Sequence, residues 1–292
     1  MQNVTPTVMA ALGLELIPAV LFGFAADRVA RAVERWPVVV RVCFPVLFVA
    51  PYVMVSISAH MFRWGWFALY AALPLAISWL LLRASASDAR QRGNWRDALI
   101  LLALGLAVDV GWLDRAWPAG LRALNELFLV DAGLYGFLAI RQLSGTGFDF
   151  PLKWSDWKTG LRELAFFTPM VIVLGLALGF LHPHRNLPGI GSALLRWVGI
   201  FFFTAVPEEL YFRAWMQNLL ERSVGRRAAL VITSMLFGLS HFNKRSTHFN
   251  WRYVLLAALA GIFYGRAWRE RRRVPASAIT HAGVDWLWSL WF

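Results

Sequence analysis

FFFTAVPEELYFRAW, residues 201–215, sets two glutamates and an arginine inside a run otherwise apolar enough to cross a bilayer. An ionised side chain at the bilayer centre costs roughly 3 kcal/mol or more. Glu208, Glu209 and Arg213 therefore call for partners and for a use. Glu209 and Arg213 are four residues apart, so they share a helical face and can pair. Glu208 points about 100° away from Glu209 and meets a different neighbour. Pro207, just before them, removes a backbone hydrogen bond and predicts a kink.

The rest of the chain explains why this stretch reads as membrane. Of its 292 residues, 59% are hydrophobic and only 16% charged, against about 45–50% and 25% in soluble domains. The net charge of +12 does not imply a nucleic-acid partner, because the basic residues fall in short clusters between apolar runs, where they direct topology. Cys43 is the only cysteine, which argues against a disulfide framework, a cysteine metal site and a thiol mechanism. The first basic residue is Arg28, so the first apolar run reads as a retained span and not as a signal peptide.

At roughly 20 apolar residues per crossing, the expected fold is an all-α polytopic membrane bundle of about ten helices, with a range of eight to ten. The spans fall near 5–26, 37–57, 65–82, 97–114, 121–140, 163–181, 192–221, 227–241, 252–268 and 274–292. Alternate loops hold nineteen Lys and Arg against seven in the others, which sets the odd loops in the cytoplasm and both termini outside. Residues 1–141 read as N-terminal membrane helices with no assigned role. Residues 142–160, QLSGTGFDFPLKWSDWKTG, read as a polar, interfacial connection, and 161–292 as a second membrane domain.

Two further polar pairs lie in that second domain. FGLSH, 237–241, sets Phe237 and His241 on one face, and HAGVD, 281–285, does the same for His281 and Asp285. One reading is a buried packing network of an ion pair and hydrogen-bonded histidines. The other is hydrolysis: a desolvated carboxylate takes a proton from water beside a neutral histidine, and a second histidine donates to the oxyanion.

EELYFR, FGLSH and HAGVD fit E-E-x-x-x-R, F-x-x-x-H and H-x-x-x-N/D in that order. The trio resembles the CPBP intramembrane protease family, which includes CAAX prenyl endopeptidases and Abi bacteriocin-immunity proteins. The resemblance covers about 195–290. It implies an intramembrane endopeptidase acting on a membrane-anchored, CAAX-like protein or peptide in the bacterial cytoplasmic membrane. Glu208 would activate water with His241 as its partner, Glu209 and Arg213 would support them, and His281 and Asp285 would stabilise the oxyanion. Prenyl endopeptidases carry Asn at the last position. An ionised Asp285 only accepts hydrogen bonds, so it is expected to orient His281. Members are often labelled metalloproteases, and Glu208, His241 and His281 form a set that can hold Zn²⁺ with an open position. The chain lacks HExxH and places Arg213 nearby, so a mechanism requiring no cofactor is favoured.

Straight, upright helices would leave these groups at unequal depths: Glu208 and His241 about 21 Å from their inner span ends, His281 about 10 Å. Two other functions keep the same residues: a non-proteolytic immunity or scaffold protein, and an ion-coupled transporter resting only on the buried charges. Gly261/Gly265 and Gly175/Gly179 read as packing pairs, RERRR at 269–273 as a topological anchor, and Trp286, Trp288, Trp291 and Phe292 as an interfacial belt. Glu15, Asp109 and Asp131 receive no role.

Overall fold

The computed structural model describes residues 5–184 and 187–292. Among them there is no strand. Ten helices follow one another: α1 Pro6–Glu34, α2 Val38–Ser58, α3 Trp64–Ser87, α4 Trp95–Val110, α5 Arg122–Ile140, α6 Trp154–Ala177, α7 Ile190–Val224, α8 Arg226–Leu239, α9 Trp251–Arg271 and α10 Val274–Trp291. Each expected span falls on one of these, and the chain is an all-α polytopic membrane protein. Six of the ten, α1, α2, α3, α5, α6 and α7, are long and apolar enough to cross a membrane. The other four differ for visible reasons. α4 and α8 have 16 and 14 residues, short of the roughly 20 a crossing needs. α9 carries arginines through its last turns, and α10 carries Ser277, Thr280, His281 and Asp285.

The chain divides into two compact units that meet at Ser144 and Gly145. In the first, Trp117 donates to the Tyr70 hydroxyl at 2.6 Å, and that hydroxyl reaches Asn125 at 2.8 Å. Arg141, almost fully buried, pairs with Asp88 at 2.6 Å and with Asp97 at 3.0 Å. Asp97 also closes a capping box with Asn94 at the start of α4, satisfying backbone donors that a helix N-terminus leaves free.

In the second unit, small residues let helices approach to backbone contact. A Cβ on Gly238 of α8 would stand 2.5 Å from the Val254 carbonyl of α9, and one on Gly160 of α6 2.8 Å from the Ala276 carbonyl of α10. Gly261 packs on Ser234 in the same way, whereas Gly265 abuts Leu230, Gln217 and Arg213. The other glycine pair behaves differently. Gly175 meets Leu181, just beyond its own helix, and Gly179 turns in the left-handed region with open space around it.

Within the second unit, residues 147–156 dock on the turn between α9 and α10. Gly147, at φ +69°, has the Arg272 carbonyl where a Cβ would sit, and its own carbonyl accepts from the Val274 N–H at 2.8 Å. Only glycine combines that φ with that approach. Arg273 then reaches Asp149 at 2.6 Å, Asp156 at 2.7 Å and the Pro151 carbonyl at 2.9 Å. This clasp fixes where α10 begins.

Candidate active site

The opening stretch lies in α7, which changes pitch there. Phe201–Ala205 and Leu210–Gln217 are π-helical, and the turn between them, Val206–Glu209, is α-helical. Such π segments often accompany functional sites. Pro207 sits inside this α turn, where its missing N–H disturbs the hydrogen-bond ladder.

Glu209 is fully buried and saturated with donors. Arg213 Nε donates to its Oε2 at 3.0 Å, the Ser277 hydroxyl donates to the same oxygen, and His281 Nδ1 meets Oε1 at 2.9 Å. Arg213 is also fully buried, with its guanidinium 5.5 Å from the Phe237 ring centre and Nη1 3.4 Å from Gln217 Oε1. Gln217 continues the row to Glu221 at 3.2 Å, which pairs with Arg272 at 2.6 Å. Residues 209, 213, 217 and 221 thus form a polar ladder at the four-residue spacing that keeps side chains on one helical face.

His281 is held on every side but one. Its ring stacks on Tyr264 at 4.5 Å and 14°, and stands edge-on to Phe237 at 5.6 Å and 89°. A carboxylate only accepts, so Nδ1 carries the proton it gives to Glu209. Nε2 is the free nitrogen, and two carboxylates face it: Glu208 Oε2 at 3.8 Å and Asp285 Oδ2 at 3.6 Å. Both distances exceed a direct hydrogen bond. Glu208 Oε2 is buried and makes no hydrogen bond.

His241 lies just past the end of α8, which stops at Leu239. Its Nδ1 donates to the Phe237 carbonyl at 2.8 Å; since a carbonyl only accepts, Nε2 keeps its lone pair. The ring packs between Phe237 at 4.9 Å and Tyr253 at 4.7 Å. No hydrogen bond joins His241 to Glu208 among the described residues. Phe237 touches both histidines and links them.

An apolar cavity of about 80 Å³ opens between α6, α8, α9 and α10, enough for a few waters. His241, His281 and Asp285 form its polar end, and Phe167, Val171 and Ala260 are among its apolar walls. Glu208 and Glu209 approach His281 from α7 and do not line it. Trp288, expected in an interfacial belt, walls this cavity instead, with Tyr253 at 5.3 Å and the Arg245 guanidinium at 4.1 Å. Trp286 donates to the Ala193 carbonyl at 2.7 Å.

The structure therefore gathers Glu208, Glu209, Arg213, His281 and Asp285 directly, with His241 across Phe237. Two pairings differ from expectation. Glu209, and not Asp285, holds the Nδ1 face of His281, and Asp285 shares the Nε2 face with Glu208. The nearest histidine to Glu208 is His281. Sequence reasoning missed Ser277, Tyr264 and Tyr253. Ser277 was within reach, since it lies four residues before His281 on the same face; nothing in the sequence marks the tyrosines. Glu208, His241 and His281 are not gathered as metal ligands: among the described residues no three His, Cys, Asp or Glu side chains group to hold an ion.

Fold and site together define a polytopic membrane protein whose second unit buries an acid–histidine–arginine cluster beside an apolar cavity. Residues 190–287 match the family model described as Rce1-like, type II CAAX prenyl endopeptidase Rce1-like. That segment holds nearly all of α7 to α10 and every residue of the acid–histidine–arginine cluster, and over it the chain is similar to the CAAX prenyl endopeptidases. Its six long apolar helices make the chain an integral membrane protein. No curated protein and no solved structure matches the chain.

Proposed function

We propose that the chain is an endopeptidase that hydrolyses a peptide bond in a membrane-associated, CAAX-like protein or peptide with water activated by glutamate and histidine, in the bacterial cytoplasmic membrane. One observation carries this reading. His281 is locked at Nδ1 by Glu209, and its free Nε2 faces Glu208 at 3.8 Å. A water about 2.8 Å from both atoms completes a triangle of ordinary hydrogen bonds.

In this reading Glu208 accepts a proton from that water, and the oxygen adds to the substrate carbonyl carbon. The carbonyl π pair moves to oxygen, and His281, as an imidazolium with an N–H at both Nδ1 and Nε2, donates from Nε2 to the oxyanion. Collapse re-forms the carbonyl and breaks the C–N bond. The proton on Glu208 passes to the departing amine, so the base returns as an acid. Glu209 fixes the tautomer and angle of His281, and Arg213 keeps Glu209 charged. His241, with its bare Nε2 at the cavity end, orients water or the substrate amide. Asp285 completes the acceptor set around Nε2. No step draws on a metal.

The test is cleavage of a prenylated CAAX peptide by the full chain in proteoliposomes, read by mass spectrometry of the products. Glu208→Ala, His241→Ala and His281→Ala are expected to abolish or cripple it, with each variant's fold checked by its melting curve. Full activity in Glu208→Ala would refute the assigned base. Folded variants that keep a cellular phenotype without cleavage would make the chain a non-proteolytic relative.

A further inference from the structure

A second site stands apart from the chemistry, wholly within the first unit. The end of α1, the start of α2, the end of α3 and the end of α5 enclose a cleft of about 760 Å³, within the usual range for a bound small molecule of about 300–1,000 Å³. These ends all meet loops rich in Lys and Arg, the side the charge pattern sets in the cytoplasm.

The walls are apolar and open. Val38 and Val39 are 55% and 73% exposed and Trp79 is 51% exposed. Two arginines stand among them. Arg83 lies 5.6 Å from the Trp79 ring centre, and Arg41 has its Nε buried with no hydrogen-bond partner. Neither pairs with a carboxylate among the described residues. Glu34 also lines the cleft, but it is exposed and takes up neither guanidinium. A buried guanidinium nitrogen without an acceptor is costly. The cleft thus offers two donors for an anion at the membrane surface and apolar walls below them.

The geometry points to a binding site for one anionic phospholipid of the inner leaflet, its phosphate between Arg41 and Arg83 and an acyl chain along the α2 valines. Basic clefts between membrane helices on the cytoplasmic side suit acidic head groups, and the planar guanidinium matches phosphate in two-pronged fashion. Zwitterionic lipid carries no net charge to balance two unpaired arginines.

Cys43 is exposed, lines the cleft and is the only cysteine in the chain, so its reactivity reports occupancy. The full chain is reconstituted in vesicles of phosphatidylcholine alone or phosphatidylcholine with phosphatidylglycerol, and maleimide labelling of Cys43 is timed. Phosphatidylglycerol is expected to slow labelling several-fold. Native mass spectrometry is expected to show phosphatidylglycerol retained in preference to phosphatidylcholine. Arg83→Gln and Arg41→Gln should each weaken retention about fivefold, from the contribution of one arginine near an acidic membrane surface. Arg83 is exposed on its helix, so its variant keeps the fold even if Arg41→Gln does not. Equal retention of both lipids, or a folded Arg83→Gln that retains as much as wild type, overturns the site. Protection of Cys43 by inorganic phosphate as strong as that by the lipid overturns the lipid as its ligand.

Discussion

Glu209 and Arg213 are both fully buried, with Nε 3.0 Å from Oε2. At an effective dielectric of about 20, their direct attraction is about 5–6 kcal/mol, partly offset by the cost of desolvating both groups. Removing one partner strands the other charge, at about 3–5 kcal/mol. The surroundings make the two removals unequal. In Arg213→Met the glutamate keeps His281 and Ser277, so the loss should sit near the lower bound. In Glu209→Gln the buried arginine loses its only paired carboxylate and keeps neutral partners alone, a 3.4 Å contact to Gln217 and the Phe237 ring, with Nη2 already unpartnered, so the loss should approach the upper bound. The double variant removes both charges, and the coupling between the two sites should reach about 3 kcal/mol. With 16 tryptophans in the chain, fluorescence-detected unfolding of the detergent-solubilised protein reports all four states of the cycle. Additive losses, or a larger loss in Arg213→Met than in Glu209→Gln, would refute the pairing and the role of His281 and Ser277 as the glutamate's other donors.

Three further outcomes are expected. Gly147→Ala drives a Cβ into the Arg272 carbonyl and should cost about 3 kcal/mol or more in a melting assay. Gly145→Ala has the same φ of +69° but meets nothing nearer than 3.6 Å, so it should cost only about 1–2 kcal/mol. Burial raises the Asp88 carboxyl, but the Arg92 and Gly93 N–H groups and the Arg141 guanidinium outweigh it and hold it below its ordinary value. A depressed folded pKa adds stability above the unfolded value near about 3.9 that is lost as pH falls through the folded one. Unfolding scans should therefore show an acid decline beginning below about pH 4, and Asp88→Asn should flatten it. Finally, a chelator should leave peptide cleavage unchanged. Loss of activity that zinc restores would replace the proposed mechanism.

The local half of the site was legible because helical spacing is local information. Glu209–Arg213 and the shared face of His281 and Asp285 follow from four-residue spacing alone, and the 209–213–217–221 ladder could have been read the same way. The contact that organises the cluster could not, since His281 and Glu209 are 72 residues apart and no periodicity links α7 to α10. The unequal depths computed from straight spans also resolve in three dimensions. His241 sits beyond a helix of only 14 residues, while α7 runs for 35 residues with two widened stretches. Hydropathy located the helices because apolar composition is an average property. Six of the ten helices meet the length and apolarity of a crossing, while α4 and α8 are shorter and α9 and α10 carry polar groups that serve the interior.

The Arg273 clasp has a consequence for how the second unit tolerates change. His281 stands eight residues beyond Arg273, about 12 Å along the helix axis. Its height is therefore surveyed from a fixed benchmark at the water's edge and not from the apolar layer around it. Asp149 and Asp156 hold that benchmark. A residue inserted between positions 273 and 281 would raise the histidine by about 1.5 Å and swing it by about 100°, out of line with Glu209.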